Sequence, residues 1–350
     1  MGEEVDMTET PQLTWGLIGA SDIAETRMLP ALRRMKQRVL GLASGHADHA
    51  RAFAARNEIA SPDGDYDVDS LLADPTIDAV YVSSTNDQHL AHVVAAAAAG
   101  KHVLCEKPLS TDLDSARRIT AECTTHGVVL GVNHHLPAAG THRMIRKLVR
   151  DGAIGRVLSV NVRHTSLLPE RLRGWRLGNA PGAGVVMDLS CHDASVVNPL
   201  LGTRALETSA ITVKQGRWDT LSEDASSAVI RYEDDVLVRL HDSFTTPNTP
   251  TYLEVHGDEG SIVAPEVMTP EPIGAVLLRD ERGQREIEVP DRRHTYDITL
   301  DCFTRAVRGE GRPVVDGHDA VNAIAVCASI LESARTGVRV SVDFDVPIVR

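Results

Sequence analysis

Three side chains stand out for the chemistry they could do together. Lys107 lies in Cys105-Glu106-Lys107-Pro108-Leu109-Ser110, just after the apolar run His102-Val103-Leu104. An ammonium placed after a buried strand, with a proline fixing the backbone beside it, reads as a cleft position rather than a solvated surface charge. Asp188 and His192 are four residues apart in Asp188-Leu189-Ser190-Cys191-His192. On a helix that spacing is one face, so the carboxylate and the imidazole can converge on a single site. Imidazole titrates near neutral pH and a carboxylate can orient it, which is what a proton-transfer step needs. The lead-in Pro181-Gly182-Ala183-Gly184 lets backbone come close to whatever lies in front of that helix.

A second set of residues has the chemistry of nucleotide binding. Gly19-Ala20-Ser21-Asp22-Ile23-Ala24 stands where a dinucleotide turn has G-x-G-x-x-G or A. Gly19 allows the tight turn, Ser21 is small enough for backbone to approach a pyrophosphate, and Ala24 permits close packing of helix on strand. Amides and dipole at the helix start favour phosphate there, and Asp22 is the one adverse charge. The second strand ends in Ala43-Ser44-Gly45-His46, without the acid that grips a ribose 2′-hydroxyl in NAD-specific proteins. Ser44 can hydrogen-bond a 2′-phosphate, and His46, His49 or Arg51 can supply charge, so NADP is favoured over NAD. Ser83-Ser84-Thr85-Asn86-Asp87-Gln88-His89 follows the third strand, at the carboxyl edge where α/β sheets bind ligands. His134 and His135 follow another strand end. As adjacent residues they do not share a face, so one is expected to point into a cleft and no metal site is expected.

The elements that must position these groups follow from hydrophobic periodicity. Strands are expected at 13–20, 39–43, 79–82, 102–104 and 128–132, with helices at 22–36, 47–56, 88–99 and 112–126, the first kinked at Pro30. Alternation of that kind predicts a doubly wound α/β domain with a parallel sheet. From Arg156 the pattern changes to strand 157–163, an arginine- and glycine-rich loop, a helix at 185–200, and seven short strands between 206 and 289. Helices at 295–308 and 317–336 close the chain. Consecutive strands predict an open, mainly antiparallel sheet in an α+β domain, with one face on helices and the other facing a partner copy. The division expected is 13–134 and 135–350, with residues 1–12 a loose tail.

Composition narrows the function classes. A net charge of −13 argues against nucleic acid and against a polybasic membrane contact. Five widely spaced cysteines with no CxxC pair suggest neither a disulfide framework nor a cysteine metal site, and fit a reducing cytoplasm. The acidic N-terminus is unlike a signal peptide, and no apolar run has transmembrane length.

Taken together, GLIGASDIA, CEKPLS, the glycine-rich loop and Asp-x-x-x-His resemble the glucose-fructose oxidoreductase and inositol dehydrogenase family, Gfo/Idh/MocA, over nearly the whole chain. STNDQH, GKHVLCEKPLS, NHHL and GWRL are similar to its branch of 1,5-anhydro-D-fructose reductases, which use NADPH. The resemblance implies a Rossmann domain, a second domain whose open sheet serves dimerisation, and hydride exchange with a carbonyl or secondary alcohol of a sugar or polyol. It implies Lys107, Asp188 and His192 as the catalytic set. Ala20, Ser21, Asp22 and Ile23 would lie along the pyrophosphate, Ser44 and Gly45 by the adenosine ribose, and His49 by the 2′-phosphate. Ser83, Ser84, Thr85, Asn86, Gln88, Glu106 and Asn133 would approach the cofactor, with Trp175, Arg176 and Tyr296 reaching it from the second domain. His192 oriented by Asp188 is the first choice of general acid, with Lys107 able to exchange roles. The alternatives are a non-catalytic dinucleotide sensor and a dihydrodiol-type dehydrogenase. Pro137, where relatives place arginine, and Ala183 in the glycine loop depart from the family pattern.

Overall fold

A computed structural model describes residues 12–59 and 67–344. The expected tail, apart from Gln12, lies outside them. The first half is a five-stranded parallel sheet of β1 (Thr14–Ile18), β2 (Arg38–Ala43), β3 (Ala79–Val82), β4 (His102–Cys105) and β5 (Leu130–Val132), in the order β2-β1-β3-β4-β5. Because β2 and β3 flank β1 on opposite sides, the chain reverses direction across the sheet at β1. The loops after β1 and β3 therefore leave the sheet side by side at its carboxyl edge, the place where doubly wound sheets bind ligands. Helices α1 (Leu29–Arg34), α2 (Ala47–Arg56), α3 (Val68–Ala73), α4 (His89–Ala98) and α5 (Leu113–Thr125) cover the sheet.

Several elements differ from expectation for local reasons. The first helix starts at Asp22 and runs through a π turn, Ala24–Met28, directly into α1; Pro30, which has no N–H to donate, follows that five-residue step inside a continuous helix. The fifth strand starts two residues late because the Val129 amide donates to the His102 side chain, at 3.0 Å. Helices α3 and α6 (Gly140–Arg150) were not expected.

The second half contains α7 (Arg173–Arg176), α8 (Cys191–Leu201), α9 (Thr295–Val307) and α10 (Gly317–Thr336). Its strands are β6 (Val157–Thr165), β7 (Ala205–Val213), β8 (Ala225–Tyr232), β9 (Leu237–Ser243), β10 (Tyr252–Gly257), β11 (Ser261–Pro265), β12 (Leu277–Asp280), β13 (Gly283–Glu286) and β14 (Val340–Ser341). They form one nine-stranded sheet, β13-β12-β11-β10-β6-β9-β8-β7-β14. The sheet is mixed: β6 and β9 run parallel, because the chain crosses one face through α8 before returning as β9. Alternation places Val160, Val162, Ile230, Val238 and Leu240 under the helices and leaves Ile211, Val229 and Leu237 exposed on the other face.

The two sheets are tied by the C-terminal helices. Phe303 of α9 packs on Trp15 of β1 with ring centroids 5.4 Å apart, inside the core beneath one face of the parallel sheet. Along α10, Ala320, Val321 and Ile324 enter the core on the other face, while Val326, Cys327 and Ile330 enter that of the nine-stranded sheet. No helix among the described residues is long and apolar enough to cross a membrane.

Helix α6 buries His142, whose Nε2 lies 2.9 Å from the Val267 carbonyl. Burial outweighs that hydrogen bond and pulls its pKa down to about 4. An unfolded histidine titrates near 6.5, so between about pH 6.5 and 4 the unfolded chain binds a proton that folded His142 refuses. Its contribution to stability is therefore present above the unfolded value and lost as pH falls. Replacing it, His142→Gln, is expected to flatten the fall of unfolding free energy between pH 6 and 4.5 by about 1.4 kcal/mol per pH unit, measured by urea titration at each pH.

Candidate active site

The turn after β1 is a cradle of backbone. Gly19 has φ +110°, and a Cβ there would lie 2.6 Å from the Ser84 amide nitrogen, so only glycine lets the loops after β1 and β3 come this close. The hydroxyl of Ser21 donates to Ser83 at 2.9 Å and accepts from the Ala24 amide at 3.2 Å, capping the helix that starts at Asp22. Ala20, Asp22 and Ile23 line the same opening, with first-turn amides free of intrahelical partners. Asn86 Nδ2 is buried without a partner among the described residues. These residues fit a dinucleotide pyrophosphate, except for the carboxylate of Asp22. Its charge is met from the other half of the chain, where Arg171 donates to it at 2.8 Å.

Other residues expected near a cofactor divide by what they touch. Ser44 and Gly45 follow the end of β2, with no described atom within 4 Å of a Cβ placed on the glycine. His49 turns its Nε2 to the Ala20 carbonyl, 2.9 Å away, and so braces the nucleotide turn. Ser84 Oγ lies 2.9 Å from His92 Nδ1, while Thr85 and Gln88 are exposed at the loop rim. His89 differs from expectation: it is fully buried, with its ring nitrogens 2.9 Å from the Pro108 carbonyl and 3.2 Å from that of Ser84. It fastens the β3 loop to the Lys107 segment, with no ring nitrogen left for a ligand.

Glu106 and Lys107 point to different worlds. The Glu106 carboxylate accepts from Tyr81, Asn133 and the Lys107 amide, and so joins the carboxyl ends of β3, β4 and β5. The Lys107 ammonium instead reaches across to the second half, donating to Asp188 Oδ1 at 2.7 Å and to the Asp188 carbonyl at 3.1 Å. The Lys107–Pro108 peptide is cis. Asp188 sits in a π turn, Val186–Ser190, whose five-residue step closes from the Cys191 amide to the Val186 carbonyl. Its second oxygen accepts from Arg176 Nε at 2.8 Å, and the Arg176 guanidinium lies over the ring of the half-exposed Trp175. Burial would raise the Asp188 pKa, but the charges and hydrogen bonds of Lys107 and Arg176 prevail and hold it well below the usual carboxylate range. Asp188 was expected to orient His192; its carboxylate oxygens instead accept from Lys107 and Arg176, and no hydrogen bond joins it to the imidazole.

His192 is buried beside this triad. Its ring meets those of His135 and His134 edge-on, at 4.8 and 5.7 Å between centroids, and Tyr296 stacks on the far side of His135 at 5.3 Å. Burial first, then the Lys107 charge and the neighbouring rings, lower the His192 pKa well below 6.5, so the imidazole is neutral. His135 is held down to about 3 by the same causes. Both histidines of the pair thus face His192, where only one was expected to enter the cleft. Gly182, with φ +81°, has its Cβ position 2.8 Å from Asn86 Nδ2, so the glycine loop closes directly on the β3 loop.

Sequence reasoning missed Arg171, His164, Asp193 and Asp242. The first faces Asp22, and the other three form a buried cluster behind His192, close enough together to ligate a cation. None carries a local motif. Only the HD dipeptide following the Asp-x-x-x-His spacing hinted at Asp193.

The family profile described as oxidoreductase family, NAD-binding Rossmann fold, matches residues 13–134, and the accompanying C-terminal alpha/beta domain matches 146–342. The 1,5-anhydro-D-fructose reductase of Ensifer adhaerens is 39% identical over 92% of this chain and 96% of that protein. D-xylose 1-dehydrogenase (NADP(+)) 2 of Haloferax volcanii is 30% identical over 95% of this chain and 100% of its own. Among solved structures, the aldose-aldose oxidoreductase from Caulobacter crescentus complexed with glycerol gives a TM-score of 0.86 at 22% identity, over 95% of this chain and 100% of that one. With both of its domains matched in order, this chain belongs to the Gfo/Idh/MocA family of oxidoreductases.

Proposed function

We propose that this protein is an NADP(H)-dependent reductase of a carbonyl on a sugar or polyol-like molecule, similar in substrate to 1,5-anhydro-D-fructose reductase. The observation that carries the reading is the Lys107 ammonium, delivered from the end of β4 onto Asp188 of the other half, with neutral His192 beside it. A bound nicotinamide dinucleotide supplies the hydride. The protein's own work is to hold the carbonyl, exclude water and place a proton. Lys107 is the proton donor in this reading: an ammonium gives up a proton far more readily than a neutral imidazole gives up its only N–H. Asp188 and Arg176 aim Lys107, and His192 hydrogen-bonds the same substrate oxygen and so stabilises its developing charge. The names of the relatives, which act on 1,5-anhydro-D-fructose and D-xylose, support a sugar substrate. In the reverse direction Lys107, having lost its proton, is the base.

Preference for NADP follows from the end of β2. No acid stands there to bind a 2′-hydroxyl, and Ser44 offers a donor to a 2′-phosphate with His46 and His49 nearby. The open face of the nine-stranded sheet supports a homo-oligomer, since Ile211, Val213, Val229 and Leu237 are exposed on it in adjacent strands.

Three outcomes are expected. Against a panel of ketoses, aldoses and anhydro sugars, wild type oxidises NADPH, while Lys107→Ala loses about 10²–10⁴ in kcat and keeps its NADPH affinity in fluorescence titration. Unchanged turnover in the variant, or none in wild type across the panel, rejects the assignment. Ser44→Asp, which offers a carboxylate to a 2′-hydroxyl and repels a 2′-phosphate, shifts the ratio of kcat/KM for NADPH over NADH toward NADH by about tenfold or more. In light scattering, the double variant Ile211→Asp, Val229→Asp has a smaller mass than wild type while its circular dichroism is unchanged.

A further inference from the structure

Behind His192 the helix that carries the catalytic pair is pinned to the sheet by groups that the proposed reaction does not use. His164 of β6 and Asp242 of β9 stand side by side in register. Asp193, next in sequence to His192, brings its Oδ1 to 2.8 Å from His164 Nδ1, and the Ser190 hydroxyl donates to Asp242 Oδ2. Asp193 and Asp242 are both fully buried, and among the described residues neither has a lysine or arginine partner. The two remaining oxygens, Asp193 Oδ2 and Asp242 Oδ1, are buried without a partner among the described residues.

Two adjacent carboxylates with no cation cannot both stay ionised in such a place. One proton held between the two orphaned oxygens satisfies both at once, with one acid donating to the other. Burial pushes the Asp193 pKa up to about 7, and burial together with the Asp193 charge raises that of Asp242 well above the usual carboxylate range. Asp193 Oδ1 then remains an acceptor, so the proton of His164 sits on Nδ1 and its Nε2 carries a lone pair. The His164 side chain keeps 11% of its surface open, and among the described residues its Nε2 is not one of the buried side-chain nitrogens left without a partner, as the Nδ1 atoms of His134 and His192 are. Its ring centroid lies 6.3 Å from that of His192, and the Lys107 and Asp188 charges both act on it.

We propose that His164 is a substrate-binding residue whose Nε2 accepts a hydrogen bond from a substrate hydroxyl neighbouring the reacting carbonyl, and that Asp193 and Asp242, sharing one proton, are the positioning residues that fix its tautomer. This deepens the sugar-reductase reading and rests on it for the identity of the ligand. It explains why a helix already carrying Asp188 and His192 places a further acid beside the imidazole: the second acid selects which face of His164 the substrate meets.

The tautomer is read directly by ¹⁵N-detected histidine NMR on the full chain, without turnover. His164 is expected as the Nδ1–H form. It keeps that form in Asp193→Asn and in Asp242→Asn, because one carboxamide supplies the hydrogen that the shared proton supplied, and it loses it in Asp193→Leu. An Nε2–H tautomer in wild type overturns the proposal, and so does a tightly held divalent metal found by elemental analysis and lost from Asp242→Asn. Adding 1,5-anhydro-D-fructose with NADP⁺, a pair that cannot react, is expected to move the His164 Nε2 resonance; no movement in a sample that has bound both overturns the contact. On whichever panel sugar is reduced, His164→Leu raises KM about 10- to 100-fold and leaves the analogue lacking the neighbouring hydroxyl unchanged. An equal loss on both sugars overturns the role. If no sugar is reduced but the tautomer follows the carboxyl pair as described, the reductase reading fails and the proton-sharing assignment stands.

Discussion

Everything about this site depends on one buried charge. The Asp188 carboxylate is almost closed off from solvent and is held by two cations that come from different places, Lys107 from the parallel sheet and Arg176 from the loop before the π turn. Burying a carboxylate alone is costly, and breaking a buried pair by removing one partner costs about 3–5 kcal/mol because the other charge is stranded. The halves of the chain must therefore meet where Lys107 can reach Asp188. The same contact holds the Lys107 ammonium where the two halves meet and leaves His192 without a hydrogen bond to Asp188. Its neutrality follows, since burial and the neighbouring positive charge both disfavour imidazolium.

The scaffold makes that meeting reproducible. Helix α10 contributes to the cores of both sheets, and α9 packs Phe303 onto Trp15, so the last helices in sequence cover the first sheet in space. Close approach of the loops is secured by absent side chains. Gly19 lets the β1 and β3 turns touch, and Gly182 lets the glycine loop press on Asn86. Against this rigid frame, the Asp22–Arg171 pair is a surface contact between exposed side chains, of small energetic weight. Its effect is local, screening an acid that would otherwise face a pyrophosphate.

Much of the fold was legible in the chain because hydrophobic period and turn residues are local signals. The strand at 79–82 and the helices at 47–56 and 317–336 fall where their patterns place them. The nucleotide turn and the Lys107 segment were legible for a related reason, since each motif is a few contiguous residues at a strand end. The Asp188–His192 spacing suggested a pairing that the structure does not make. A four-residue interval says that two side chains share a face, and it is silent on Lys107 and Arg176 arriving from elsewhere to occupy the carboxylate. His89 misled in the same way, as a polar residue in a ligand-facing loop that packing turned inward onto two carbonyls.

From the sequence alone come the strand and helix alternation, the glycine cradle, the missing acid after β2, and Lys107, Asp188 and His192 as the candidate groups for proton transfer. Tertiary structure alone decides who pairs with whom. Glu106, adjacent in sequence to Lys107, belongs to Tyr81 and Asn133, while the partner of Lys107 lies eighty-one residues away. His164, Asp193 and Asp242 come together only because β6 and β9 align in parallel under α8. The reason is that electrostatic partnership depends on distance and burial, and both are properties of the packed sheets rather than of any stretch of chain.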